Sequence, residues 1–284
     1  MVVSSATFRH TRRVFALAAA AALFPLLVRS ADNRATVTEQ LRIMDFSHLA
    51  GSTTIVFRYT PLVRGAAGQA EIEPFKGTLK IHGVFSNLPQ ARSLGSPFLT
   101  YTLWQVTADG RTTNLGEVEL TGSAGEISTK ARSSRFGLIV TAEPYFAVSQ
   151  PSSEVAFESD VAPGSSANLP LTVARCELLR TPIGAQFAAS DPPDPKTAGQ
   201  PLLFEQARLA LAVARAAGAA EYAPETLDTA EQTLKIAGNL LAQGAKPKDV
   251  HDAAMEAVLI AEDARVLAVA RHNRLQAAPP APQP

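Results

Sequence analysis

Apolar side chains alternate with polar ones along the first two thirds of the chain, then switch to a helical spacing. Between Thr53 and Thr60, Ile55, Phe57 and Tyr59 alternate with Thr54, Val56 and Arg58, the period of a half-buried strand, and Pro61 ends the run. Ala70–Glu73 and Thr78–Phe85 read as two further strands around Pro74 and Gly77, with Leu79, Ile81, Gly83 and Phe85 on one face and His82 on the other. Leu99, Tyr101 and Leu103 alternate with Thr100, Thr102 and Trp104. Asp109-Gly110 follows as a tight-turn signal, because both central positions tolerate positive φ. A strand over Arg111–Leu115, a break at Gly116 and a resumption over Glu117–Leu120 come next. From Phe136 to Thr141 both faces are apolar, which predicts a central strand covered on both sides. Val155 with Phe157, and Leu169–Leu179, add two more. Thr36–Met44 reads as a short strand or a helix, and Asp45–Gly51 as a loop. Roughly eight short strands between residues 50 and 180, separated by frequent turns, predict an antiparallel sandwich or barrel.

The pattern changes over residues 181–200. Asp191-Pro192-Pro193-Asp194-Pro195 continues neither helix nor sheet and reads as a semi-rigid linker. Beyond it the chain is Ala-rich with helical periodicity, in segments of about 201–217, 224–243 and 247–274. Gly218 and Gly244 stand where helix C-terminal caps belong, Pro224 and Pro247 where first-turn prolines belong. Leu227, Leu234 and Leu241 recur every seven residues. In the last helix Val250, Ala253, Ala257, Ile260, Ala264 and Leu267 form the corresponding stripe. Alternating small and large residues let helices approach closely, so a helical hairpin or three-helix bundle is expected over residues 201–275. The first helix has little large apolar surface, which leaves self-association through the helices open. The tail, 276–284, is Ala, Pro and Gln and reads as disordered.

The fold class expected is therefore α+β and multidomain: a β-sandwich domain (31–180), the Pro-rich linker (181–200) and a helical domain (201–275). Ahead of them, residues 1–30 read as an export signal. Arg9, Arg12 and Arg13 precede the Ala/Leu-rich run Val14–Val28, and small residues surround Ser30-Ala31. Fifteen apolar residues interrupted by Pro25 are short for a bilayer span, which needs roughly 20. Membrane contact is thus expected only through an uncleaved signal, if at all. Thr11-Arg12-Arg13-Val14-Phe15 also resembles a twin-arginine signal, with general secretory export as the alternative. The expected location is the periplasm.

Two resemblances bear on the folded parts. The residues Gly77-Thr78-Leu79-Lys80-Ile81-His82-Gly83, Leu88-Pro89, Tyr101-Thr102-Leu103-Trp104, Asp109-Gly110, Leu115-Gly116-Glu117, Val140-Thr141-Ala142-Glu143-Pro144 and Gln150-Pro151-Ser152 resemble the extracytoplasmic domain of anti-sigma-K factors. The resemblance covers under a third of the chain and implies a small antiparallel β-sandwich outside the cytoplasmic membrane. Only residues 1–13 precede the apolar run, too few for sigma-binding helices, so direct sigma capture is not carried over. The run Ala214–Leu227, with Tyr222-Ala223-Pro224-Glu225 at its centre and Ala230-Glu231 after it, is similar to an Ala-rich helical domain of bacterial envelope proteins whose function is unknown.

Charge and chemistry narrow the function. The formal charge is zero, and without residues 1–30 there are 22 basic against 26 acidic residues, about −4. Nucleic acid is therefore not expected as a partner. Cys176 has no partner for a disulfide and reads as a small buried hydrophobe. The histidines (His10, His48, His82, His251, His272) show neither metal spacing nor a triad order, and no phosphate-binding Gly loop is present. No cofactor, metal or catalytic set is expected, and the protein reads as a non-enzyme. Three functions stay open: an envelope scaffold or interaction module binding envelope proteins, a sensory partner in extracytoplasmic signalling, and a small-ligand- or carbohydrate-binding sandwich. The last would read through Trp104, Tyr145 and Phe146. The stripe Leu227, Leu234, Leu241, Val250, Ile260 and Leu267 is the candidate helix-packing or partner surface. Glu262-Asp263 beside Arg265 reads as a solvated surface cluster.

Overall fold

A computed structural model describes residues 35–163, 169–187 and 201–277. The residues read as an export signal (1–30), most of the expected linker and nearly all of the tail lie outside the described residues. What is described is a mixed α+β structure: a large antiparallel sheet followed by C-terminal helices.

Eleven strands form the sheet: β1 (Thr36–Asp45), β2 (Thr53–Tyr59), β3 (Ala67–Phe75), β4 (Thr78–Ser86), β5 (Thr100–Thr107), β6 (Thr112–Glu117), β7 (Glu119–Thr121), β8 (Ala124–Ala131), β9 (Arg135–Glu143), β10 (Val155–Val161) and β11 (Leu171–Leu179). The strand order is β11-β1-β9-β10-β2-β3-β4-β8-β7, and β5 pairs with both β9 and β6. The sheet curls until β6 lies beside β8, where the Thr129 hydroxyl donates to the Leu115 carbonyl. Thr36–Met44 is thus a strand, and β8 adds one in the Gly- and Ser-rich interval where no strand is expected.

One apolar core fills the inside of the curl. Phe57, Phe85 and Phe157 meet there at centroid distances of 5.0–6.2 Å, joined by Tyr101, Leu103, Phe136, Leu138 and Val140. The period-two rule places the other side chains of β5 and β9 on the opposite face, and that face is buried too. Trp104, Val106 and Ile139 pack in a second core. The β1–β11 ribbon runs over this outer face, contributing Leu41, Ile43, Ala174, Cys176 and Leu178. The approach is close. A side chain at Gly137 would put its first carbon 2.3 Å from the Arg42 carbonyl oxygen. At Gly110, where φ is +82°, it would lie 2.1 Å from that of Arg175.

The helices complete the second core: α1 (Leu202–Ala216), α2 (Ala219–Tyr222), α3 (Pro224–Ala242) and α4 (Pro247–Ala277). Gly218 and Gly244 take left-handed conformations at the helix ends, and Pro224 opens α3. The helical layer packs on the sheet as well as on itself: Ala207, Ala210, Leu211 and Ala214 of α1 and Ala257, Ala261, Ala264 and Ala268 of α4 share one core with Trp104 and Ile139. Small side chains are what allow the helix axes to come this near the sheet.

Candidate interaction surface

The β9–β10 loop is where the helices grip the sheet. Tyr145 is fully buried, and its hydroxyl donates to Glu262 of α4 at 2.7 Å. The Ser149 backbone N–H donates to the other oxygen of Glu262 at 2.9 Å. Arg265 lies one turn on and donates twice to the Glu262 carboxylate, at 2.8 and 2.9 Å, and once to the Ser149 hydroxyl. Glu262 is 5% exposed and Arg265 3%. From α1, Gln206 accepts from the Phe146 N–H at 2.7 Å and donates to Glu117 of β6 at 2.8 Å. Asn114 of β6 donates to the carbonyls of Phe146 and Val148. Burying charge is costly unless it is paired and hydrogen-bonded, and here both conditions are met.

This arrangement corrects two sequence expectations. The aromatics Trp104, Tyr145 and Phe146 do not form an exposed platform. Trp104 is fully buried with its indole N–H donated to Thr141 at 2.8 Å, Tyr145 is locked under α4, and Phe146 is half-buried. Their loop is covered because its backbone and Tyr145 supply the partners that Gln206 and Glu262 need. Nor is Glu262–Arg265 a surface cluster. The signal that could have found it is the i, i+3 spacing of Glu and Arg beside Ala257, Ala261, Ala264 and Ala268, a strip of small residues that reads as a buried face.

A second polar chain runs behind Trp104. Thr141, which accepts from the indole, donates to Glu143 at 2.5 Å, and the Ser152 N–H donates to the same carboxyl oxygen at 2.8 Å. The other oxygen of Glu143 and the Thr102 hydroxyl are buried without a partner among the described residues. Burial pushes the Glu143 carboxyl up to about 8, against the opposing pull of these hydrogen bonds. Glu117 is raised too, first by burial, with the Thr100 and Gln206 hydrogen bonds pulling it down. Burial likewise raises the Cys176 thiol, to about 11. Among the described residues no group of three or more His, Cys, Asp or Glu is arranged to hold a metal ion.

The helix stripe divides in the structure. Leu227 and Val250 are buried, Leu234, Leu241 and Ile260 half-buried, and Leu267 is exposed at 38%. In α4 the inward face is Val250, Ala254, Ala257, Val258, Ala261, Ala264 and Ala268; it coincides with the expected stripe at Val250, Ala257 and Ala264 and lies one position on from it at Ala253, Ile260 and Leu267. The reason is that α4 is apolar on more than one side. Met255, Leu259 and Val266, at 38–46% exposure, line up with exposed Ala270 beside the buried face. At 3.6 residues per turn these four fall within about 60° of arc.

Met255 also borders a cleft of about 530 Å³ between the helices and the β6–β7–β8 corner. Phe146 and Leu203 give it apolar walls; Glu117, Glu119, Glu126 and His251 give it polar ones, and among the described residues no Lys or Arg lines it. No described helix is long and apolar enough to cross a membrane. The chain matches no protein-family model, no curated protein and no solved structure.

Proposed function

We propose that this is a non-enzymatic, exported interaction module of the cell envelope, in which the sheet serves as a platform and α4 as the contact element. The observation that carries the reading is the second apolar face of α4. A surface helix of an isolated globular protein normally keeps one apolar stripe and a polar remainder. Here one face is spent on the sheet and the neighbouring helices, and Met255, Leu259 and Val266 stay in solvent. Clustered exposed apolar residues with a polar rim mark interaction sites. The buried state of Trp104 and Tyr145 favours this over recognition of a small ligand or carbohydrate through those aromatics. A β-sandwich of the extracytoplasmic anti-sigma-K type, carrying a helical hairpin or bundle, remains part of the proposal, as does periplasmic export by the N-terminal residues.

The test is chemical crosslinking in intact cells with the tagged full chain, comparing the wild type with a Leu259→Glu/Val266→Glu double variant. Discrete protein adducts lost in the variant support the reading. Adducts unchanged by the substitution, or no discrete adducts in either, overturn it.

A further inference from the structure

We infer that the outer face of α4 and the adjoining cleft together form a groove for a basic amphipathic helix. The inference rests on the interaction reading above and names the chemistry of the partner.

Three observations carry it. The first is shape. The stripe from Met255 to Ala270 extends about 22 Å at 1.5 Å per residue, which is the length of four helical turns, and it opens at Met255 into the cleft. The second is charge on one flank. Glu256 and Asp263 are exposed on the side of the stripe away from the sheet, with Asp252 one turn earlier held by Lys248. The third is charge at the Met255 end of the stripe. Glu117, Glu119 and Glu126 line the cleft with His251, and Glu117 is already tethered by Thr100 and Gln206. An apolar seam thus runs beside one acidic edge and ends in an acidic cleft. A helix with an apolar stripe at i, i+4, i+7 and lysines or arginines along one shoulder and at one end matches seam, edge and cleft together. A second copy of this chain matches less of it. Two such stripes packed antiparallel about their midpoint set Glu256 opposite Val269 and Asp263 opposite Glu262, so neither exposed acid gains a cation. The complementary charges would set orientation and association rate, while the seam supplies the buried area.

The probe is a fluorescein-labelled 21-residue helix of leucine and lysine in heptad spacing, with a second peptide in which glutamate replaces every lysine. Anisotropy with the full chain should show saturable binding of the lysine peptide, weakening as salt rises from 50 to 300 mM, and none of the glutamate peptide. In a Glu119→Lys/Glu126→Lys variant the preference should move the other way: at least about tenfold weaker binding of the lysine peptide, and recovery of the glutamate peptide. Leu259→Glu should abolish both. Binding of both peptides to the wild type, or a preference unmoved by the charge reversal, overturns the basic-helix inference. Sedimentation showing a dimer through α4 would also overturn it, by assigning the groove to a second copy. Those outcomes leave the interaction module standing, whereas cellular adducts unchanged in the Leu259→Glu/Val266→Glu variant, or no discrete adducts at all, sink the module and not the groove's chemistry.

Discussion

Inside the curled sheet, Phe57, Phe85 and Phe157 make a core of rings, packed by area and shape. Between the sheet and the helices the core is mostly alanine, valine and leucine, and it is crossed by Glu143, Gln206, Glu262 and Arg265. The first kind of core is held by non-directional burial and tolerates hydrophobic substitutions that keep its volume. The second has little area per residue, so it gains less from burial, but its hydrogen bonds specify one docking position. The lesson is about α4. A helix apolar on several sides could pack on the sheet by more than one face, and the Glu262–Arg265 pair selects one of them. The face left over is the one offered to a partner.

Substitutions on either side separate the two cores. Phe157→Ala should cost about 3–5 kcal/mol by removing a ring shared by two aromatic neighbours, and thermal unfolding should show the whole protein losing stability. Arg265→Ala leaves the Glu262 carboxylate buried with one partner removed, a loss of about 3 kcal/mol. Hydrogen exchange should then speed up in α4 before it does in β2 and β10; uniform loss across the molecule would deny the helices a separate docking contribution.

Glu143 makes the helix side sensitive to pH. Its carboxyl is raised from about 4.5 to about 8 in the folded state, so the folded state holds its proton longer than the unfolded chain does. That stability is fully present below about pH 4.5 and is lost as pH rises through about 8. Melting temperature should therefore fall over that interval, and Glu143→Gln should flatten most of the slope. Smaller again, Tyr145→Phe deletes one hydrogen bond to Glu262 and should cost about 1 kcal/mol in urea unfolding. Smallest for stability is Leu259→Glu on the exposed stripe, expected within about 0.5 kcal/mol of the wild type.

Much of this was legible in the sequence, for identifiable reasons. β2, β4 and β9 carry large apolar residues at alternate positions, and Gly218, Pro224, Gly244 and Pro247 punctuate the helices. β8 was hidden because its inward positions are Gly125, Ile127 and Ala131, with one large side chain among them. In α4 the sequence offers Ala264 and Leu267 as readily as Ala264 and Ala268, and only contact with the sheet decides between them. The pairing of Tyr145 and Ser149 with Glu262, more than a hundred residues later, has no local signal at all. Period and punctuation are local properties; the choice of a docking face is not.

The most direct test of the account places a photo-crosslinking amino acid, one position at a time, at Leu259 and Val266 of α4 and at Tyr59 and Val173, exposed apolar positions on the sheet. Illumination in intact cells should give a discrete adduct at the two α4 positions and none at the sheet positions. Adducts at Tyr59 or Val173 with α4 silent would contradict it, and would move the contact surface from the helix to the strands.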